Sequence, residues 1–275
     1  MNNAAIVDYL RSLNPGREIK LVGRGWHSMV FEIDGYIYRF ANHSFNDYRI
    51  EAFLCDYFRQ QVTFSLPEVN LVNDTHFQYA IHKKLPGTKL ELNNNVNDGV
   101  IGDCALAMAR IHSCADLAYF RQVCDPVLPA VGKDCIQVVL NSLFLKEETM
   151  MLMDSYFSSI NQKGSEKVLV HGDFRGDNLL VNSRGRLMGI LDWCNAGMAE
   201  RERDFNYLYT DLNSKSLQKL LSSYEEYSGQ PVSVKRIAEL ALVREINMLL
   251  LFPKDSQRRN KAKARLDSIV LKQKL

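Results

Sequence analysis

The stretch that decides the fold spans residues 168–181 and reads Val168-Leu-Val-His171-Gly-Asp173-Phe-Arg175-Gly-Asp-Asn178-Leu-Leu-Val181. Short apolar runs at its two ends are typical of buried strands, and the loop between them is rich in charged and amide side chains. A loop that is held between two strands can direct several polar groups toward one point. A further apolar run, at residues 187–191, leads directly into Asp192 and Trp193. We therefore expect this hairpin-like region to form the centre of the protein.

Three side chains of this region, Asp173, Asn178 and Asp192, carry the oxygen donors that phosphoryl transfer requires. Asp173 and Asn178 have the spacing of the catalytic loop of kinases. On this pattern Asp173 orients the attacking hydroxyl, and the hard oxygens of Asn178 and Asp192 bind Mg²⁺ against nucleotide phosphates. Arg175 closely follows Asp173, and we expect it to neutralise the charge that develops on the migrating phosphoryl group.

The composition is that of an ordinary globular protein. The chain has 275 residues, of which 46% are hydrophobic and 24% are charged, with a formal net charge of +2. A charge this small provides no electrostatic argument for a nucleic acid or a membrane surface as partner. The first residues contain no apolar run suited to a signal peptide, and the six cysteines show no CxxC pattern. We expect a cytoplasmic monomer with reduced thiols.

The N-terminal part of the sequence predicts an antiparallel sheet. Asp34 and Gly35 separate two alternating apolar runs, which is a strong hairpin signal. A glycine-containing loop at residues 23–28 precedes these strands, and we expect Ser28 and the loop amides to contact phosphate. Glycines are common in turns between strands, so this loop taken alone is weak evidence.

A helix is predicted at residues 47–60, with Ile50, Phe53, Leu54, Tyr57 and Phe58 as its buried stripe. Glu51 lies at the flank of that stripe. In kinases a glutamate on such a helix pairs with a basic residue on the third strand, and Arg39 occupies that strand here. The alternative is that Glu51 is a solvated surface residue.

Two further strands are predicted at residues 69–72 and 77–81, and the following turn at residues 82–87 contains Pro86 and Gly87. Beyond residue 98 the pattern is mainly helical. Asp204 begins one of these helices, where we expect its carboxylate to accept backbone N–H bonds and to fix the loop at the magnesium site.

These motifs resemble those of the aminoglycoside phosphotransferase and choline kinase superfamily, whose members phosphorylate small-molecule alcohols. His171-Gly-Asp-Phe-Arg-Gly-Asp-Asn178 is similar to the HGDxxxxN loop of that family, and Leu191-Asp-Trp193 is similar to its metal-binding IDW segment. Leu85-Pro-Gly-Thr-Lys-Leu90 is similar to its LPGxxL segment.

The resemblance implies an α+β, bilobal, protein-kinase-like fold. Residues 1–84 would form the nucleotide-binding lobe, with a small antiparallel sheet and one helix, and residues 85–275 the helical catalytic and substrate-binding lobe. It also implies Mg²⁺ as cofactor and ATP or GTP as phosphate donor. The acceptor would be a small-molecule hydroxyl.

By the same resemblance, Arg39 and Glu51 form the phosphate-clamp pair, and Asp173 is the catalytic carboxylate. The remaining nucleotide contacts that the resemblance implies are Leu180 and Leu191 near the base and His82, Lys83, Lys84 and Leu85 at the hinge.

This sequence departs from the family pattern in three places. Arg39 stands where a lysine is usual, and a guanidinium differs from an ammonium in reach and geometry. Arg175-Gly176-Asp177 replaces the common HPG. Residues 199–204 replace the GDPxxD segment and retain only its last aspartate, Asp204.

These observations lead to a Mg²⁺-dependent small-molecule kinase, with an aminoglycoside-type antibiotic as the expected acceptor. A macrolide or a metabolite alcohol is the alternative acceptor, and a nucleotide-binding pseudokinase is the alternative class, motivated by Arg39 and the altered segment before Asp204. Acidic walls would suit a polycationic aminoglycoside. The candidates for such walls are Glu200, Glu202, Asp204, Asp211, Glu225, Glu226, Glu239 and Glu245. Aromatic walls would suit a macrolide, and the candidates are Tyr207, Tyr209 and Tyr224.

Overall fold

The computed structural model describes residues 3–24, 28–42, 46–92, 96–118, 120–122, 147–159 and 166–272. These residues form a mixed α+β structure, as the resemblance implied. The strands are β1 (Lys20–Arg24), β2 (Ser28–Ile33), β3 (Tyr36–Ala41), β4 (Asn70–Asn73), β5 (Gln78–Lys83), β6 (Thr88–Lys89), β7 (Lys167–Val170), β8 (Leu179–Val181), β9 (Leu187–Ile190) and β10 (Gly197–Glu200). The helices are α1 (Asn3–Leu13), α2 (Asn46–Phe58), α3 (Asp98–His112), α4 (Glu147–Ser159), α5 (Asn206–Asp211), α6 (Ser214–Ser228), α7 (Val234–Leu251) and α8 (Ser256–Lys272).

The chain divides into two compact units. Unit 1 comprises Met1–Thr88 and Met188–Asn195, and unit 2 comprises Lys89–Leu187 and Ala196–Leu275. The short return segment, residues 188–195, assigns Asp192 to unit 1, whereas Asp173 and Asn178 belong to unit 2. Among the helices of the described residues, none is both long and apolar enough to cross a membrane.

Unit 1 is built on a five-stranded antiparallel sheet with the order β1-β2-β3-β5-β4. Its core forms where α1 packs its buried Ile6 and Leu10 against Phe31 and Phe40 of the sheet. The predicted hairpin at Asp34 is confirmed, because β2 pairs with β3 across it. Asp34 and Gly35 have φ angles of 49° and 77°, the left-handed values that a two-residue hairpin turn requires.

The burial pattern of α2 differs from the predicted one at two positions. Phe53 was expected in the buried stripe, yet its side chain is 45% exposed, whereas Glu51 is completely buried. The apolar residues Leu54 and Phe58 do face inward, as predicted. A carboxylate therefore occupies the buried side of this helix, and the reading of Glu51 as a solvated residue is wrong. Burial at this position requires a charged partner.

Unit 2 combines short strands with most of the helices. β7 pairs antiparallel with β10, with Val170 opposite Gly197. In the same unit α3 packs against α6, and α7 packs against α4, α5 and α8. β7 is the first strand predicted in the stretch 168–181, and it ends at Val170. The polar loop begins at the next residue, His171. The second strand, β8, also has the predicted bounds.

Gly176 allows the polar loop to pass close to another backbone segment of unit 2. A Cβ atom at this position would lie 2.3 Å from the carbonyl oxygen of Leu90 and 3.2 Å from the side chain of Leu92. The contact with the Leu90 carbonyl oxygen is too short for any Cβ atom, so a side chain at position 176 requires a shift of the backbone.

Replacement of this glycine should destabilise the protein. We expect Gly176→Ala to lower the free energy of unfolding by about 1–3 kcal/mol because the loop must move away from Leu90. Gly102→Ala is the matched control, since its added Cβ meets nothing closer than 3.9 Å and alanine is favoured by about 1 kcal/mol inside a helix. Urea unfolding of both variants checks the prediction, and equal effects at the two positions would contradict it.

Candidate active site

Two carboxylates of unit 1, Glu51 and Asp192, meet around the buried guanidinium of Arg39. Arg39 on β3 donates from Nη1 to Oε2 of Glu51 at 2.5 Å and from Nη2 to Oδ1 of Asp192 at 2.9 Å. Glu51 comes from α2, and Asp192 follows β9. The fork of the guanidinium matches two carboxylates at once, which a lysine ammonium cannot do with the same geometry. The structure thus brings together Arg39, Glu51 and Asp192, which were predicted from three distant parts of the sequence.

The environment of Arg39 keeps it charged. Burial alone would lower its pKa, but the charges of Glu51 and Asp192 outweigh this effect and hold the pKa well above its ordinary value. The guanidinium also lies 5.0 Å from the ring centre of Tyr48. Oε1 of Glu51 accepts the backbone N–H of Trp193 at 3.3 Å, so Glu51 also holds the chain next to Asp192.

Cys194 is a member of this cluster that the sequence interpretation missed. Its Sγ lies 3.5 Å from Nη2 of Arg39 and 3.6 Å from Oε2 of Glu51, and burial beside this carboxylate raises the pKa of the thiol well above its usual value. Ligand atoms of Glu51, Asp192 and Cys194 lie within 4.8 Å of one another. Arg39 contacts all three groups, and its guanidinium provides the positive charge at the centre of the cluster.

The other predicted contacts in unit 1 lie along β2 and at the end of β5. Ser28 begins β2 and is buried, while residues 25–27 of the glycine loop lie outside the described residues. His82 is inside β5, its buried ring 3.0 Å from the carbonyl oxygen of Lys83, and burial lowers its pKa. The side chains of Lys83 and Lys84 are exposed.

Unit 1 also contains Leu85 and Leu191. Both side chains are half-buried, and Leu191 immediately precedes Asp192. The assignment of both residues to the nucleotide stays a prediction.

In unit 2 the loop after β7 brings Asp173 and Asn178 together. The amide nitrogen of Asn178 donates to Oδ2 of Asp173 at 2.8 Å and to the backbone carbonyl of Asp173 at 2.9 Å. Both residues are buried. Because the amide N–H groups point to Asp173, the amide oxygen is the group of Asn178 that can bind a cation. Leu180, the other predicted contact in this unit, is buried on β8.

Arg175 lies beside the same carboxylate. Its Nε is 3.3 Å from Oδ2 of Asp173, and its guanidinium lies 5.5 Å from the ring centre of Tyr207. Burial and the charge of Asp173 raise the pKa of Tyr207 to about 12. The structure thus places a guanidinium next to Asp173, in contact with Tyr207 of α5. The predicted role of Arg175 at the phosphoryl group stays a prediction.

Asp204 holds the beginning of the loop. Its carboxylate accepts the backbone N–H of His171 at 2.8 Å and that of Gly172 at 2.7 Å. Burial would raise its pKa, but hydrogen bonds from His112 and the Gly172 amide lower it. The ring of His112 completes the set, with Nε2 3.1 Å from Asp204. The predicted role of Asp204, acceptance of loop N–H bonds, matches this geometry.

The chemistry of the predicted metal ligands fits a hard divalent cation. Asn178 presents an amide oxygen and Asp192 a carboxylate, which are the donor types that Mg²⁺ prefers. Oδ1 of Asp192 is bonded to Arg39, and its other oxygen belongs to a side chain that is about one-third exposed.

Comparisons with known proteins identify the family of this chain. A model of the phosphotransferase enzyme family matches residues 18–240, which is most of the 275-residue sequence. The chain therefore belongs to the phosphotransferase enzyme family. Among curated proteins, the uncharacterized protein YcbJ of Bacillus subtilis (strain 168) is 34% identical over 62 residues. This match spans 22% of the present chain and 20% of that protein, so it covers about a fifth of the length of either.

Solved structures share the fold over almost the whole chain. A GDP complex of a point mutant of aminoglycoside 2'-phosphotransferase IIIa has a TM-score of 0.74 at 16% identity, with 98% of each chain covered. A type I macrolide 2'-phosphotransferase has a TM-score of 0.69 at 16% identity, covering 97% of this chain and 98% of that one. At such identities the likeness concerns the fold, which is that of the kinase-like aminoglycoside phosphotransferases.

The Arg39 cluster leads to a prediction on stability. We expect Arg39→Leu to lower the free energy of unfolding by about 3–5 kcal/mol, because it leaves the charge of Glu51 buried without its partner. Arg39→Lys should cost less, about 1–3 kcal/mol, because one ammonium replaces two directed hydrogen bonds. Urea unfolding measures both. If Arg39→Leu/Glu51→Leu is no more stable than Arg39→Leu alone, the charge-pair explanation is wrong.

A second prediction concerns Asp204. Asparagine has one carbonyl oxygen for the two loop amides, so Asp204→Asn should cost about 1–3 kcal/mol of stability. It should also speed amide hydrogen exchange at His171 and Gly172. Asp267→Asn, a change to an exposed carboxylate on α8, is the matched control. Unchanged exchange at both amides in Asp204→Asn would show that Asp204 does not hold this loop.

Proposed function

We propose that this protein is a phosphotransferase that moves the γ-phosphate of ATP or GTP to a hydroxyl of a small molecule. Membership of the phosphotransferase enzyme family supports the reaction class. Solved structures of similar fold that are described as complexes with GDP, with ADP or with streptomycin and ATP support a nucleotide as donor.

The single observation that carries the proposal is the geometry at Asp173. One oxygen of its carboxylate, Oδ2, is bonded by Asn178 and contacted by Arg175, so the side chain is held in one orientation. A carboxylate fixed in this way can accept the proton of an attacking hydroxyl and align it for transfer. Arg175 then stabilises negative charge on the phosphoryl group as the bond to the donor breaks.

The residues predicted to contact the nucleotide or Mg²⁺ serve the phosphate donor in this proposal. The guanidinium of Arg39, held by Glu51, binds phosphate oxygens, and Ser28 adds a hydroxyl donor. Leu180 and Leu191 contact the base, and the strand end from His82 through Leu85 contacts its edge. Asn178 and Asp192 hold Mg²⁺, which when bound neutralises phosphate charge. The chain contains all three predicted oxygen donors, Asp173, Asn178 and Asp192, and this argues against a pseudokinase.

The acceptor proposed from the sequence is an aminoglycoside. Solved structures of similar fold include an aminoglycoside 2''-phosphotransferase described as its GDP and kanamycin complex and another described as its gentamicin complex. Antibiotic resistance would be the corresponding biological role. A polycation of this kind requires carboxylates that are not already neutralised by the protein.

The ion pairs of unit 2 favour a second candidate, an acceptor with little positive charge such as a macrolide or a metabolite alcohol. Half of the acidic residues considered for a polycation site are bound to arginines. These pairs are Glu200 and Glu239 with Arg236, Asp211 with Arg265, and Glu245 with Arg244. Asp204 is committed to the loop amides, and Glu202 accepts the backbone N–H of Ser233 at 3.2 Å. Of the proposed aromatic walls, Tyr209 and Tyr224 are buried in the core, which leaves Tyr207 near Asp173.

An acceptor screen distinguishes these candidates. Purified protein with Mg²⁺ and either ATP or GTP is incubated with kanamycin, gentamicin, erythromycin and a set of neutral metabolite alcohols, and phosphorylated products are detected by mass spectrometry. Transfer to kanamycin or gentamicin alone supports the aminoglycoside assignment, and transfer to erythromycin or an alcohol supports the second candidate. Nucleotide binding without transfer to any acceptor or to water would identify a pseudokinase.

Loss of the carboxylate at position 173 should abolish most of the activity. We expect Asp173→Asn to lower kcat by about 10²–10⁴-fold, because the hydroxyl loses its proton acceptor. Asp177→Asn removes an exposed carboxylate of the same loop and should leave kcat within about twofold. Steady-state kinetics with the best acceptor of the screen measures both. Similar rates for the two variants would remove Asp173 from the mechanism.

Arg175 should act on the transition state more than on the bound nucleotide. We expect Arg175→Ala to lower kcat by about 10²-fold or more while the Kd of the nucleotide changes by less than about threefold. Arg184→Ala, at an exposed arginine of the same unit, is the control. Equal losses in kcat and in nucleotide affinity would make Arg175 a ground-state phosphate contact.

A further inference from the structure

Unit 2 contains a cavity of about 570 Å³ that the proposed reaction does not use. It is bounded by the C-terminal parts of α3 and α6 and by β7 and β10, and neither Asp173 nor Asn178 lines it. A volume of this size falls within the range of small-molecule binding sites in proteins.

The lining of the cavity carries more positive than negative charge. Among the described lining residues, the cationic side chains are Arg110, Lys167 and Arg201, and the only carboxylate is that of Glu166, which pairs with Arg201. Arg110 and Lys167 are exposed at the rim, and Lys167 donates to the neutral side chain of Gln122 at 2.9 Å. No carboxylate among the lining residues balances these two cations. The rim therefore favours a ligand with negative charge.

The deeper wall is apolar and aromatic. Leu106, Ala109 and Met198 contribute aliphatic and thioether surface, and the ring of Tyr227 contributes aromatic surface. Tyr224 is fully buried, whereas Tyr227 is 48% exposed and lies toward the opening. A ligand that matches both the wall and the rim has a flat apolar body and one anionic group.

The same wall supports the catalytic loop. His112 lines the cavity, and its ring is bonded through Nδ1 to the hydroxyl of Tyr224 at 2.8 Å and through Nε2 to Asp204 at 3.1 Å. Asp204 in turn holds the amides of His171 and Gly172, the two residues before Asp173. A ligand in the cavity thus lies next to the buried pair His112 and Tyr224 and restrains the groups that position this loop.

We propose that this cavity is a second ligand site, which binds a small organic anion with an aromatic body and which is coupled to the catalytic loop through His112 and Asp204. The site is separate from the proposed acceptor and nucleotide contacts. Binding at the cavity and phosphoryl transfer at Asp173 can therefore succeed or fail independently in experiments.

The probe for this site is 1-anilinonaphthalene-8-sulfonate, an aromatic sulfonate whose fluorescence rises on binding. We expect saturable binding with one probe per chain to the wild-type protein. Arg110→Glu/Lys167→Glu should weaken this binding by at least about tenfold, because two attractive charges become repulsive. Lys215→Glu/Lys219→Glu makes the same change of charge at exposed positions of α6 outside the lining and should leave the affinity unchanged. Circular dichroism and thermal unfolding confirm that each variant is folded.

Thiol protection locates the probe. Cys114 lines the cavity and is partly exposed, so bound probe should slow its alkylation by N-ethylmaleimide, as measured by peptide mass spectrometry. Equal weakening by both charge-reversal variants, unprotected Cys114, or displacement of the probe by ATP or GTP would each overturn the assignment of the site.

Amide hydrogen exchange tests the coupling without any activity assay. With saturating probe, exchange at His171 and Gly172 should slow by at least about threefold, because the support of Asp204 is restrained. The same measurement in Arg110→Glu/Lys167→Glu, at the same probe concentration, should show no slowing. Unchanged exchange in wild-type protein with the probe bound would overturn the coupling.

Discussion

The buried guanidinium of Arg39 is the interaction on which unit 1 depends. Glu51 has no exposed surface, and an uncompensated carboxylate in that position would cost several kcal/mol. Arg39 satisfies Glu51 and Asp192 together, so β3, α2 and the segment after β9 are joined through one side chain. Two carboxylates face position 39, and the separate N–H donors of a guanidinium can bond to both of them. This is a physical reason for arginine at a position where the family pattern usually has lysine.

In unit 2 the main feature is the support of the polar loop that carries Asp173 and Asn178. Its backbone amides have no strand partner after β7 ends, and Asp204 accepts two of them. Gly176 lets the same loop pass against the backbone of Leu90, and the Asn178 amide fixes the orientation of Asp173. The loop that carries Asp173 is therefore held from within by Asn178 and also by Asp204, which is distant from it in sequence. This dependence also makes the loop sensitive to the wall that His112 forms with Tyr224.

Charge pairing in unit 2 bears on the choice of acceptor. From the sequence, Glu200, Asp211 and Glu245 were candidates for an acidic wall that binds a cationic substrate. In the structure each of them forms an ion pair with an arginine. A carboxylate that is already paired attracts a further cation weakly, because the net charge of the pair is close to zero. The paired state of these residues depends on helix packing that no local pattern reveals.

The sequence by itself predicted the class of reaction and several of the strands. Local signals such as Asp34-Gly35 and the apolar runs around Asp173 predicted strands close to their observed bounds, because turn geometry and strand burial depend on neighbouring residues. Only the tertiary structure decided that Glu51 is buried while Phe53 is exposed, that Cys194 joins Arg39, and that Asp192 belongs with unit 1. These outcomes depend on contacts between residues far apart in the chain, and such contacts leave no periodic trace in one sequence.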